Sequence, residues 1–319
     1  MMAHRFLPLG ITSLLLLALF TTGAWQFEGF GSLRVVLNLF TDNAFLLITA
    51  LGMTLVILSG GIDLSVGAVI ALSGVLCALL ITKLGWHPLA AFALVLLVGT
   101  AFGAAMGCLI HHYRLQPFIV TLAGMFLARG LATTLSEESI AIEHPFYDSV
   151  SDFGLALPGG AWLSSSAMVL LVVLAAVLLL AHYSRFGGYI YALGGNSQSA
   201  ALMGVPMART TVGIYALSSF LAALAGIVFT FYTFSGYALT GIGTELDAIA
   251  AVVIGGTLLS GGAGYVLGTV LGVLLMGVIQ TYITFDGTLN SWWTKIVIGI
   301  LLFVFIALQK IMTVRQAHA

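Results

Sequence analysis

Charge is what this sequence has least of. Only 7% of its 319 residues are Asp, Glu, Lys or Arg, against about 25% in an ordinary soluble domain. So few charges leave too little polar surface to cover a water-soluble fold, so the solvent for most of the chain is lipid. Lysine is scarcer still: Lys83, Lys295 and Lys310 are all there is, each preceded by Thr or Gln. None sits in the Gly-Lys of a phosphate-cradling loop, which excludes P-loop ATP binding by this chain alone. The two cysteines, Cys77 and Cys108, lie inside apolar runs and read as small core residues, with no Cys/His spacing suited to a metal. The seven histidines fall mostly at loop positions, without the pairing an intramembrane hydrolase needs. A net charge of −1 without a basic stripe gives nucleic acid nothing to hold. Alternating polar segments are also too few for an outer-membrane barrel with a wet lumen.

What remains is apolar: 61% hydrophobic residues and a mean hydropathy of +1.15. Runs fall at 7–24, 44–59, 62–81, 88–110, 117–134, 163–181, 210–233, 246–260, 263–285 and 290–309. At about 20 residues per span, the chain reads as all-α and polytopic, with about ten transmembrane helices in a single transmembrane domain over 1–319. His4 and Arg5 before the first run also suit a signal peptide, but the run is long and leads into further spans, so an uncleaved first helix is expected. With the N-terminus inside, the inner loops receive Arg5, Arg114, Arg185, Arg209, Lys310 and Arg315. The outer loops receive only Arg34 and Lys83. That asymmetry places both termini in the cytoplasm. The longest outer loop, 135–162, carries five acidic residues and no Lys or Arg.

Two places share a pattern. Ser59-Gly60-Gly61 is followed six residues later by Gly67, and Ser260-Gly261-Gly262 by Gly268. Either these are related broken helices lining a path, or they are chance in a chain with 38 glycines. The inner loop 182–209 holds a second feature. Asn196 or Ser197 is a good helix cap, Gly204 a good stop, and Pro206 forbids continuation. The helix of about two turns between them, Gln198 to Met203, exposes Ala201, Leu202 and Met203. It is too short to be stable alone, so it docks into a partner's groove or lies on the bilayer. Asp63, Arg129, Glu245, Asp247 and Lys295 lie in or near spans, where charge must pair or meet water. Asp63 has a potential partner in Arg129 or Lys295. Trp292 and Trp293 read as an interfacial belt or, alternatively, as a sugar-stacking platform.

The residues of four segments resemble a known family. Ser59-Gly-Gly-Ile-Asp-Leu-Ser-Val-Gly67, Gln116-Pro-Phe-Ile-Val-Thr-Leu-Ala-Gly124 with Arg129-Gly130, Tyr191-Ala-Leu-Gly-Gly-Asn196, and Glu245 to Gly256 with Ser260-Gly-Gly262 look like the permeases of ribose-type bacterial ABC sugar importers. Further segments, including Thr41 to Leu46, Ser136 to Ile140, His144 to Asp148 and Gln280 to Lys295, are similar to galactofuranose-importer permeases. The resemblance implies an inner-membrane subunit that moves a monosaccharide by alternating access. It implies no cofactor in this chain, with ATP-Mg on a partner ATPase, a second and non-identical permease, and a periplasmic sugar-binding protein. It assigns ATPase coupling to Arg185, Gly194, Gly195, Asn196, Ser197, Gln198, Ala201, Leu202, Met203 and Gly204. Expected path residues are Asn43, Asp63, Ser65, Gln116, Thr121, Arg129, Glu245 and Asp247. The rival expectation is an ion-coupled secondary transporter with Asp63 as its coupling carboxylate. Such a protein would leave the exposed helix at 198–203 without a purpose.

Overall fold

The computed structural model of the protein describes residues 7–158, 160–290 and 292–317. Its helices in chain order are α1 (Leu7–Gln26), α2 (Leu33–Asp42), α3 (Ala44–Leu58), α4 (Val66–Ala78), α5 (Pro88–His112), α6 (Pro117–Leu135), α7 (Pro145–Asp152) and α8 (Ser165–Tyr183). There follow α9 (Arg185–Gly195), α10 (Ser197–Leu202), α11 (Met207–Thr233), α12 (Thr244–Ile254), α13 (Val266–Asp286) and α14 (Trp292–Ala317). Every apolar run is helical for most of its length. Proline at the first turn begins α5 and α6, where its missing N–H costs nothing. Ser164 and Ser184 cap α8 and α9 by accepting from Ala167 N at 3.2 Å and Gly187 N at 3.0 Å.

Among the described residues, seven helices are long and apolar enough to cross a membrane, or eight if the pair α2–α3, bent by 58° at Asn43, counts as one. The helix at 33–42 was not expected from hydropathy. Ser32 caps it, and its residues are amphipathic rather than uniformly apolar. The run at 246–260 is helical only as far as Ile254. Gly255 and Gly256 follow, and Gly256 takes a left-handed backbone (φ +91°), which ends the helix. Eleven residues span about 16 Å, roughly half of a hydrocarbon core of about 30 Å. Of the cations used to orient the chain, Arg5 and the side chains of Lys310 and Arg315 lie outside the described residues.

The centre of the bundle is α3, in which every residue but Phe45 is buried. It packs against α8, α11, α12 and α13. A second axis is α11 against α5. Gly99, Gly103 and Gly107 recur every fourth residue on α5, where a Cβ would run into the backbone or small side chains of α11. That stripe lets the two backbones approach closely, which is how apolar helices gain contact in lipid. Thr54 and Thr269 bond across α3 and α13 at 2.7 Å.

The segment 136–164 is not plain loop. Its strand β1 (Ile140–Ala141) pairs antiparallel with β4 (Ser235–Gly236), and β2 (Gly154–Leu157) with β3 (Ala161–Ser164). Tyr147 of α7 is fully buried among Phe92, Phe231 and Phe234, with its hydroxyl 3.0 Å from Thr230 Oγ1. This ties the acidic segment to the end of α11.

Candidate functional site

The two Ser-Gly-Gly segments, 201 residues apart in the chain, meet in space. Each follows a buried helix, α3 in one case and α12 in the other. Gly262 N donates to the Leu58 carbonyl at 2.9 Å. Gly60 and Gly261 take nearly the same left-handed conformation, with φ of +84° and +83°. A Cβ on Gly261 would lie 2.7 Å from the Gly60 nitrogen and 3.0 Å from the Gly194 Cα. A Cβ on Gly262 would lie 2.7 Å from the Gly195 Cα. Gly194 itself sits against the Leu58 carbonyl. Three backbones therefore touch with no side chain between them: the end of α3, the end of the α12 break, and the end of α9. Tyr191 of α9 adds a side-chain tie, donating to the Gly264 carbonyl at 2.8 Å.

From that junction the chain turns into α10. Asn196 accepts from Ser199 N at 2.8 Å and caps it, and Gly204 ends it with φ +81°. Ala200 is buried, while Leu202 is 90% and Met203 83% exposed. Arg185, Ser197, Gln198 and Ala201 are exposed as well. The preceding residues 185–195, expected to be loop, are helical because Ser184 supplies the cap and Gly187 and Gly194 pack against the ends of α8 and α3. Glycine-rich composition concealed that helix.

Asp63 lies in the break between α3 and α4 and is fully buried. One carboxylate oxygen accepts from Ser65 N at 3.0 Å and Ser65 Oγ at 2.6 Å, and the other from Ser218 Oγ at 2.8 Å. Its partners are thus hydroxyls and an amide, rather than Arg129 or Lys295. Thr121 Oγ1 reaches the neighbouring Ile62 carbonyl at 3.2 Å. Arg129 donates to the carbonyls of Ala238 and Thr240 at 2.5 and 2.6 Å, with Glu245 supplying an opposing charge. Glu245 Oε1 in turn accepts from Gly243 N at 3.3 Å. Gln116 is exposed at the start of α6 and joins none of these groups. Ser218 and Tyr191 were missed from the sequence, because each gains its role from a partner more than 70 residues away.

Asn43 and Asp247 line a cleft of about 340 Å³ together with Gln280, Trp292, Thr294 and Lys295. Lys295 Nζ lies 2.7 and 2.5 Å from the two Asp247 oxygens. Asn43 opens α3 and the glycine junction follows its end, so cleft and junction are about 22 Å apart along that helix.

Among the described residues no group of His, Cys, Asp and Glu is placed to hold a metal. Apolar helices around a buried α3, with two interrupted spans meeting at one end, define a multi-pass helical membrane protein. The family described as "Branched-chain amino acid transport system / permease component" matches residues 35–306. The inner membrane ABC transporter permease protein YjfF of Escherichia coli K12 is 58% identical over 98% of this chain and 95% of its own length. The fructose import permease FruG of Bifidobacterium longum is 39% identical over 96% and 92%. The ribose import permease RbsC of E. coli K12 is 36% identical over 94% and 92%. No solved structure matches the chain. The chain belongs to this family of ABC-transporter permeases, and the relatives it resembles include sugar import permeases. It is a multi-pass inner-membrane protein of a family of transport subunits, which are not enzymes.

Proposed function

We propose that this chain is one of two non-identical permeases of an ATP-driven importer, and that its cargo is a neutral monosaccharide, galactofuranose. The single observation that carries the mechanism is the glycine junction behind α10. A six-residue helix exposing Leu202 and Met203 is the shape of a knob for a partner's groove. The segment that holds the knob touches the ends of both interrupted spans through glycine backbone, with Tyr191 adding one side-chain tie to the second. Close-packed interiors transmit displacement rather than absorb it. A push on α10 by a closing ATPase therefore reaches α3 and α12 together.

On this reading ATP-Mg binds the partner ATPase, this chain needs no cofactor, and a sugar-loaded periplasmic protein docks on the opposite face. The chain crosses the membrane about ten times with both termini in the cytoplasm. The Lys and Arg asymmetry supports that orientation. It puts residues 182–209 on the ATPase side and the cleft near Asp247 on the outer side. Sugar import is supported by the names of the relatives, and galactofuranose by the segments from Thr41 to Leu46 and Gln280 to Lys295.

The test is Leu202→Asp in the full chain. The side chain is solvent-exposed, so folding and insertion stay normal, while sugar uptake falls about tenfold or more through loss of a docked apolar anchor. Uptake at the normal rate would refute the coupling role. Affinity purification of the tagged chain should recover an ATPase and a second, different permease.

A further inference from the structure

The cleft between the start of α3, α12, the end of α13 and the start of α14 has hydrogen-bonding capacity left unused. Thr294 is only 8% exposed, yet its Oγ1 has no hydrogen-bond partner. Threonines in apolar helices ordinarily donate to a carbonyl in the preceding turn. Thr281 and Thr284 on α13 do so, to Gly277 and Gln280 at 2.9 Å. Thr294 stands in the first turn of α14, where the residue four back, Asn290, precedes the helix. The Asn290 carbonyl already accepts from Trp293 N at 3.0 Å. A buried hydroxyl without a partner is costly, and this one lines an open cleft. Gln280 on the same wall is exposed and makes no side-chain hydrogen bond among the described residues. Asn43 is held in place by its own bond to the Leu39 carbonyl at 2.9 Å.

We propose that this cleft is a transit site for a neutral monosaccharide, with Thr294 and Gln280 as direct contacts and the Asp247–Lys295 pair beside them. This rests on the reading of the chain as a sugar importer, and it adds where the sugar is held. A sugar ring carries adjacent hydroxyls that each donate and accept. The cleft offers a hydroxyl and amides that do both, a carboxylate that accepts and an ammonium that donates. Asp247 and Lys295 neutralise one another, so the site carries no net charge to attract a sugar acid or phosphate. Trp292, largely exposed at the rim, presents an apolar face to the C–H side of a ring. The volume of about 340 Å³ falls at the small end of ligand pockets, which run from about 300 to 1,000 Å³.

The test is saturation-transfer NMR on the full chain in lipid nanodiscs, with D-galactose as the probe and D-galacturonate as its anionic counterpart. Native chain should transfer saturation to D-galactose, and Thr294→Val and Gln280→Ala should reduce it about fivefold each. Valine has nearly the shape of threonine, so the first change leaves the fold intact. Thr294→Ser, which keeps the hydroxyl, should restore the signal, and exposed Ser149→Ala on α7 should leave it unchanged. D-galacturonate should transfer about fivefold less than D-galactose. No transfer from native chain, or equal transfer from the Thr294→Val and Gln280→Ala variants, overturns the site. Equal transfer to the acid overturns its selectivity for neutral sugars. A lipid that co-purifies in the cleft and is lost with Thr294→Val, while the galactose signal is not, also overturns it. The readout needs no ATPase, so these failures leave the importer reading untouched. Normal uptake by Leu202→Asp would in turn leave the cleft untouched.

Discussion

The two breaks, after α3 and after α12, contain the same three residues, Ser-Gly-Gly, and solve the same problem by different means. After α3, a buried carboxylate does the work: Asp63 collects Ser65 N, Ser65 Oγ and Ser218 Oγ and so fixes the start of α4. After α12 no acid is present. The turn there is built from backbone, with Leu258 N donating to the Ala263 carbonyl at 3.0 Å and Gly262 N to the Leu58 carbonyl at 2.9 Å. Its glycines Gly256, Gly261, Gly262 and Gly264 all carry positive φ, against Gly60 alone in the first break. The first break is locked by side chains within one wall of the bundle. The second is locked by what it leans on, namely α3 and α9. The second is therefore the one that feels movement of α10 most directly.

That contrast has measurable consequences, best read as shifts in thermal unfolding of the detergent-solubilised chain. Gly261→Ala should be the most damaging, at about 4 kcal/mol, because left-handed strain adds to overlap with the Gly60 backbone. Next comes Asp63→Ala, at about 3 kcal/mol, since it strands buried donors on Ser65 and Ser218. Its counterpart Gly60→Ala has the same φ as Gly261, but its nearest neighbour would be 3.5 Å away. It should cost only about 1–2 kcal/mol of backbone strain. Equal losses for Gly60→Ala and Gly261→Ala would erase the distinction between the two breaks. Smallest is Tyr191→Phe, at about 1 kcal/mol for one hydrogen bond to Gly264. It should nonetheless slow sugar uptake more than it lowers stability, because it loosens the tie from α9 to the second break. Unchanged uptake would confine coupling to the glycine contacts.

Much of this was legible in advance. The ten apolar runs reappear as helices, and the cap at Asn196 and stop at Gly204 bound α10 within a residue of expectation. The Ser-Gly-Gly pattern marked both interruptions. Other features left no local trace. Residues 185–195 hold four glycines, a composition that argues against a helix, yet they form α9, with Gly187 and Gly194 fitted against the ends of α8 and α3. The α12 run continues as apolar sequence to residue 260, but its helix stops at Ile254. Hydropathy reports burial and is blind to backbone direction.

The pairing of charges shows the same division. That Asp63, Arg129, Glu245, Asp247 and Lys295 each needed a partner followed from the cost of charge in lipid. Which partner each took did not: Lys295 chose Asp247, 48 residues away, and Asp63 chose serines. By itself the sequence determined that this chain lives in a membrane as helices, where its apolar helices lie, and which short segment stands exposed. Those are matters of composition, periodicity and caps, all set by neighbours along the chain. Only the tertiary structure decided that glycines of three segments meet at one junction and that a cleft gathers Asn43, Gln280 and Thr294. Both depend on which helices pack side by side, and that is settled by small-residue contacts spread across the whole chain.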